Sequence, residues 1–273
     1  MNIDKEKNNI DLEIIGNKKE NENDSNNKDL ADTNYNSKIV KRGSDPQDYK
    51  WFSKEAIVKL QKAQQEVEWL LGRGYSIGPV TEFVGNSYQF SLRQRNALQR
   101  STTSKQLSEK RKAKEVPLTK AREEIIYIDG FNLIITLEVA LSKGILVHGN
   151  DGVIRDIAGL RGTYRIIDKT EKALEIIGKT INNLGVPQVK IFLDAPVSNS
   201  GRLKSRILSN SEGWNSITEV ELVPNPDKIL VDLSRVVTSD SIILDYCKSW
   251  FNLTGKAIED YIKEANIIDL SGN

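Results

Sequence analysis

The stretch that decides the reading is Glu123–Glu138, EEIIYIDGFNLIITLE. Ile125, Ile126 and Ile128 form a short β-branched run, the pattern of a strand covered on both faces. Leu133, Thr136, Leu137, Ala140 and Leu141 then recur at helical spacing. The strand must therefore turn into the helix at Asp129-Gly130-Phe131-Asn132. In an open parallel α/β sheet, ligands bind at the carboxyl ends of strands, which makes Asp129 and Asn132 the first candidate site residues. The competing reading is a helix cap, a role Asp and Asn commonly fill, and for one strand end alone the cap is favoured.

Further along the chain the same pattern returns. His148-Gly149-Asn150-Asp151-Gly152 reads as a turn, and Val153–Tyr164 as an ordered loop or short helix close to the site, with Arg155-Asp156 most simply a structural pair. Ile166, Thr170, Ala173, Ile177, Ile181 and Leu184 mark an amphipathic helix closed by Gly185 and Pro187. Val189–Asp194 is a second strand ending in Asp. Ser198-Asn199-Ser200-Gly201 then opens a helix carrying Arg202, Lys204 and Arg206, and a polar turn there suits phosphate, with Ser200 the orienting residue. Ile217–Val223 is a third strand, followed by Asp227. Leu233–Thr238 is a fourth, ending at Thr238-Ser239-Asp240-Ser241. The next helix is expected to bury Ile242, Ile243, Tyr246, Cys247 and Trp250, and Ile267–Leu270 is read as a closing strand. Parallel neighbours would bring Asp129, Asp194, Asp227 and Asp240 to one rim. Carboxylates gathered there repel one another unless a cation joins them. An all-oxygen set suits Mg²⁺ or Mn²⁺, which can activate water and stabilise charge on a phosphoryl oxygen.

Upstream, Met1 to about Ser44 is rich in Asn, Lys, Asp and Glu and reads as a disordered tail. Phe52, Ala56, Leu60, Ala63, Val67 and Leu70 follow helical spacing behind Ser53 as N-cap, and Gly72-Arg73-Gly74 ends that helix. Val80–Val84 and Ser87–Phe90 flank Gly85-Asn86 and read as a β-hairpin. Ser91-Leu92-Arg93-Gln94 is a capping box that opens a second helix. Arg93–Arg122 is markedly basic. Arg93, Arg95, Arg100, Lys110, Arg111, Lys112 and Lys114 there, with Arg202 and Lys204 downstream, are the candidate nucleic-acid contacts. A solvated charged face is the competing reading.

The chain as a whole excludes several classes. Its 39 basic and 38 acidic side chains nearly cancel, so only their local clustering bears on partners. Cys247 is the single cysteine, which rules out an internal disulfide framework. The single histidine, His148, and the lack of a Gly-x-Ser-x-Gly elbow argue against a Ser-His-Asp hydrolase. No apolar run reaches membrane-spanning length, and MNIDKEKNN carries no signal-peptide pattern, so a cytoplasmic protein with no membrane partner is expected.

Two resemblances add to this. WLLGRGYSIGPVTEFVGNSYQFSLRQRNALQRST resembles the prokaryotic family named domain of unknown function 434, over about residues 52–104. That family supplies no established catalytic residues; it implies pairing with a C-terminal α/β domain. IDGFN and VVTSDS, in that order and on strand ends, resemble the PIN and NYN nucleases over roughly residues 123–270. By that resemblance Asp129 and Asp240 would bind metal, and Asn132 and Ser239 would orient them or the phosphate. Asp194 and Asp227 are added from strand-end position. Ile242 departs from the family's Ser-x-Asp-x-Asp pattern, standing where that pattern has its last Asp.

The expected organisation is a polar tail (residues 1–45), a small mostly helical domain with a β-hairpin (46–104), a basic linker (105–120) and an α/β domain (121–273). The last would be Rossmann-like and PIN/NYN-like, built on a mainly parallel sheet. The leading expectation is a Mg²⁺- or Mn²⁺-dependent endoribonuclease, with RNA as substrate and DNA as the alternative. An inactive nucleic-acid-binding or regulatory protein of the same fold comes second. A phosphatase of the haloacid dehalogenase type comes third, because its second Asp is replaced by Phe131.

Overall fold

Sheet A forms where the sequence places its strongest β-branched runs. The computed structural model of the chain describes residues 41–159 and 162–272. The helical half comes first: α1 (Asp48–Trp51), α2 (Lys54–Gly72), α3 (Ile77–Ser87), α4 (Leu92–Ser101) and α5 (Lys105–Ala113), then a 3-10 turn at Leu118–Glu123. The α/β half follows as β1 (Ile126–Asp129), α6 (Gly130–Leu141), β2 (Ile145–His148), β3 (Ile154–Asp156), α7 (Thr170–Leu184), β4 (Gln188–Asp194) and α8 (Ser200–Ser211). It closes with β5 (Ile217–Val223), α9 (Asp227–Leu230), β6 (Val236–Val237), α10 (Ser241–Tyr246), α11 (Leu253–Tyr261) and β7 (Asn266–Asp269).

Four strands make sheet A in the order β5-β4-β1-β6, and every pairing in it is parallel. Alternation along the strands sorts its two faces. Ile126, Ile128, Val189, Ile191 and Leu193 meet α6, α7 and α11 in one core. Phe192, Val236 and the partly buried Tyr127 face a second core with Leu230, Ile243, Leu244 and Trp250. Sheet B has the order β3-β2-β7, with β3 antiparallel and β7 parallel to β2. Its Ile145, Val147 and Ile268 share a core with Leu60, Val67, Val80, Val84 and Leu98 of the helical half.

Local signals explain most of these elements. The Ser53 hydroxyl accepts the Ala56 amide to start α2, and Ser91 and Gln94 complete the capping box of α4. Gly185, at φ +65°, supplies the left-handed residue that ends α7.

Several expectations need correction. There is no β-hairpin at residues 80–90: Gly85 and Asn86 lie inside α3, and the chain reverses at Gln89, which has φ +56°. A Cβ on Gly85 would lie 2.8 Å from Arg95 Cγ, so this glycine lets α3 approach the side chain of α4 rather than making a turn. The linker expected at 105–120 is α5 and the 3-10 turn. The tail expected to reach residue 45 ends sooner, because Arg42 is buried against Glu138; residues 1–40 lie outside the described residues. The fourth strand shrinks to Val236–Val237. Val153–Tyr164 contributes β3, and β2 was not anticipated; Leu160 and Arg161 lie outside the described residues. The closing strand is present as β7, one residue earlier than read, and it belongs to sheet B. On α10, Ile243 is buried, whereas Ile242 and Tyr246 are exposed because the helix is too short to set up a full buried stripe. All the described residues belong to one compact unit, and none of their helices is long and apolar enough to cross a membrane.

Candidate functional site

The order of sheet A sets the place of the site. From β1 the chain steps to β4 and β5 on one side, then returns to place β6 on the other side. In open sheets of this kind ligands bind outside the carboxyl ends where strand order reverses, and here that switch point lies between β1 and β6. Pairing of Tyr127 with Val236 and Ile128 with Val237 carries Asp129 up beside Thr238. The Thr238 hydroxyl donates to Asp129 Oδ2 at 2.9 Å and accepts the Asp240 amide at 3.0 Å. The Asn132 amide donates to Asp129 Oδ1 at 3.4 Å, so Asp129 does cap α6. Asp240 caps α10 in the same way, accepting from Ile242 N and Ile243 N.

Asn132 joins the two strand ends. Its Oδ1 accepts the Ser239 amide and the Ser239 hydroxyl, both at 2.8 Å. A backbone N–H can only donate, which fixes the facing atom of Asn132 as its oxygen and turns its Nδ2 the other way. Ser239 is fully buried, so its hydroxyl orients Asn132 and is not presented to a phosphate. Ser200 is likewise buried and donates to the Ala195 carbonyl.

The electrostatics tie the four carboxylates together. Asp129 is pushed up to about 7, by burial above all and with help from Asp240 and Asp227, against the opposing Thr238 bond. Desolvation raises Asp227, with help from Asp240 and Asp194, and desolvation also raises Asp194. Asp194 ends β4 and Asp227 opens α9, so all four stand at the carboxyl edge of sheet A. Among the described residues, however, no three Asp, Glu, His or Cys side chains converge closely enough to cage a metal ion. Mg²⁺ does not demand such a cage, since it is often held by one or two carboxylates, waters and substrate phosphate. Asp129 and Asp240 are the two carboxylates that would hold an ion of that kind, and the described residues offer no three-carboxylate centre.

The predicted cations divide. Arg93 pairs with Asp48 and bonds the Gly43 carbonyl; Arg95 bonds the Phe90 carbonyl; Arg100 approaches Asp156 at 3.9 Å. Arg111 is buried between Asp151 and Asp245, and Lys114 donates to the Leu244 and Asp245 carbonyls. These five are used inside the fold. Lys110, Lys112 and Arg202 are exposed and Lys204 is half-buried. His148 contacts Asp269 at 3.2 Å on sheet B, and Phe131 is a core residue edge-on to Tyr164, where a phosphatase would need an acid. Sequence reasoning did not count Thr238 as a site residue, although its position at a strand end before Ser-Asp was a usable signal. It set Arg155 beside Asp156 as a structural pair; the carboxylate Arg155 grips is Asp151, and its Nε donates to the Ser239 carbonyl at 2.7 Å.

Comparison with known proteins places this site in a family. Residues 118–256, just over half of the chain and including all four carboxylates, match the family described as domain of unknown function (DUF5616). The chain belongs to the DUF5616 family. Ahead of the DUF5616 region, residues 59–114 match the family described as protein of unknown function (DUF434), in agreement with the resemblance of the helical half. The chain is 32% identical over 209 residues to the uncharacterized protein MJ0935 of Methanocaldococcus jannaschii, covering 76% of this chain and 100% of that protein. No solved structure matches.

Proposed function

We propose that the carboxyl edge at the β1–β6 switch point is a divalent-cation-dependent phosphodiesterase site acting on RNA, on a Rossmann-like sheet of the PIN/NYN type. The observation that supports it most is Asp129 beside Thr238 and Asp240 at the point where strand order reverses. When bound, Mg²⁺ or Mn²⁺ would supply an activated water and offset charge on the phosphoryl oxygens. Asp129 and Asp240 would hold it. At neutral pH Asp129 sits near its own midpoint, so it can keep or release a proton as a cation or phosphate arrives. Asn132 Nδ2 is a donor for a phosphoryl oxygen, and Lys110, Lys112, Arg202 and Lys204 would contact the backbone of the strand.

A second reading, a nucleic-acid-binding protein without activity, has one observation in its favour. Both Asp129 oxygens already accept hydrogen bonds and no three ligands converge. One paired experiment separates the two. Melting of the wild type is followed with and without Mn²⁺, and cleavage of a mixed single-stranded RNA pool is compared for wild type, Asp129→Asn and Asp240→Asn. The nuclease reading expects Mn²⁺ to raise the wild-type melting temperature and cleavage to fall at least a hundredfold in both variants. Metal-indifferent melting with no cleavage leaves the binding protein.

A further inference from the structure

The segment carrying Thr238, Ser239 and Asp240 is held from behind by an ion network that belongs to neither strand end. Asp151, in the turn between β2 and β3, is 1% exposed and is gripped by two guanidinium groups. Arg155 reaches it with Nη1 at 2.9 Å and Nη2 at 2.6 Å, and spends its Nε on the Ser239 carbonyl. Arg111 reaches Asp151 at 2.7 Å with Nη1, Asp245 at 2.7 Å with Nε, and the Ser241 carbonyl at 3.3 Å with Nη2. Lys114 donates to the last carbonyls of α10 at 2.6 and 2.9 Å. The Trp250 indole closes the arrangement on the Arg111 carbonyl at 2.7 Å. Burial would raise the Asp151 carboxyl, but Arg155 and Arg111 overcome it and hold it down at about 2.

Arg111 comes from α5, the last helix of the DUF434 region, and Ser239–Asp245 lies in the DUF5616 region. Each planar guanidinium makes several directed bonds, so it fixes position as well as charge. We propose that Arg111 and Arg155, bridged by Asp151, are positioning residues for the Ser239–Asp240 segment, and that the helical half thereby completes the site. The inference rests on the reading above for its link to function, but the geometry can be tested without it.

The test uses the full chain and two variants, Arg111→Met and Lys114→Met. Amide exchange is read at Ser239, Ile242 and Ile243, whose N–H groups bond Asn132 and Asp240, and at Ile128 and Ile191 in the middle of sheet A. Affinity for Mn²⁺ alone is measured in parallel. The expected result is exchange at least tenfold faster at the first three amides, no change at the sheet amides, and Mn²⁺ affinity at least fivefold weaker. Arg111→Lys, which keeps the charge and loses the fork, should fall between. If Arg111→Met does not fold, Arg111→Lys decides on the same amides, because it keeps the buried charge beside Asp151 and loses only the fork. Faster local exchange in a protein whose wild type ignores Mn²⁺ would sustain the positioning and sink the metal reading. Unchanged exchange, a uniform rise across both sets, or, where the wild type does bind Mn²⁺, faster exchange with unaltered Mn²⁺ affinity would overturn the proposal.

Discussion

Asp129 caps α6 with its carboxylate and also accepts from Thr238 at the switch point between β1 and β6. A cap alone would favour the ionised form, yet burial lifts the group from 3.8 to about 7. A carboxyl raised in the folded state holds its proton more tightly than the unfolded chain does. Its contribution is therefore fully present below the unfolded value and is lost as pH rises through about 7. Asp129→Asn cannot titrate. Metal-free, it should match wild type near pH 4 and become progressively more stable relative to it up to about pH 7, by on the order of 4 kcal/mol at 1.4 kcal/mol per unit. Urea midpoints across that range check this, and a difference that stays flat from pH 4 to 8 would defeat it. Asp129, Asn132 and Asp240 could be read from the sequence because strand ends announce themselves by a change of period. Gly130 could not be read in the same way: it looks like turn punctuation, but a Cβ there would lie 2.6 Å from Leu193 Cδ2 and 3.0 Å from the Phe192 carbonyl. Only the fold brings β4 that close.

Helix α6 shows what an element can hide. Its sequence is apolar almost throughout, and Glu138 sits in that run with no exposure at all. Its carboxylate is 3.0 Å from Arg42 and accepts from the Tyr164 hydroxyl at 2.8 Å and from Thr170. Burial raises the Glu138 carboxyl while Arg42 opposes that rise. Glu138→Ala would leave the Arg42 guanidinium buried beside an emptied space, so a loss of roughly 3–5 kcal/mol is expected. Glu138→Gln keeps an acceptor for Tyr164 and Thr170 and should lose less. Chemical denaturation of both variants would show it, and equal losses would mean the charge is irrelevant. Helix α3 teaches the opposite lesson. Val80–Val84 next to Gly85-Asn86 carries every short-range sign of a hairpin, and tertiary contact overrode it: Val80 and Val84 lie one helical turn apart, on the same side of α3, and both are buried in the core shared with sheet B. Strands β2 and β3 escaped notice for the same reason, since runs of three or four residues are defined by their partners more than by themselves.

At the scale of the molecule, the helical half has no core apart from the α/β half, because its buried apolar side chains share one with sheet B. Leu60, Val67, Val84 and Leu98 bury themselves against Ile145, Val147, Ile268 and Leu270. The pairing of two regions was legible in composition and motif, but their fusion was not, because an apolar residue does not declare which neighbour it will meet. A fragment of residues 121–273 should therefore expose that face and lose the Arg111 and Lys114 contacts, giving an aggregating or unfolded product. The longer chain should melt in one transition. Calorimetry of both decides it, and a soluble, cooperatively folding fragment would refute the shared core. Strand β7 adds a consequence for biosynthesis. It pairs with β2 across more than a hundred residues, and the Asp269 carbonyl accepts from Gln61 on α2. A ribosome delivers α2 roughly two hundred residues before that partner emerges. Nascent chains must hold the first core open until translation of β7 is complete, so a message cut short just before Asn266 would yield a product marked for the proteases.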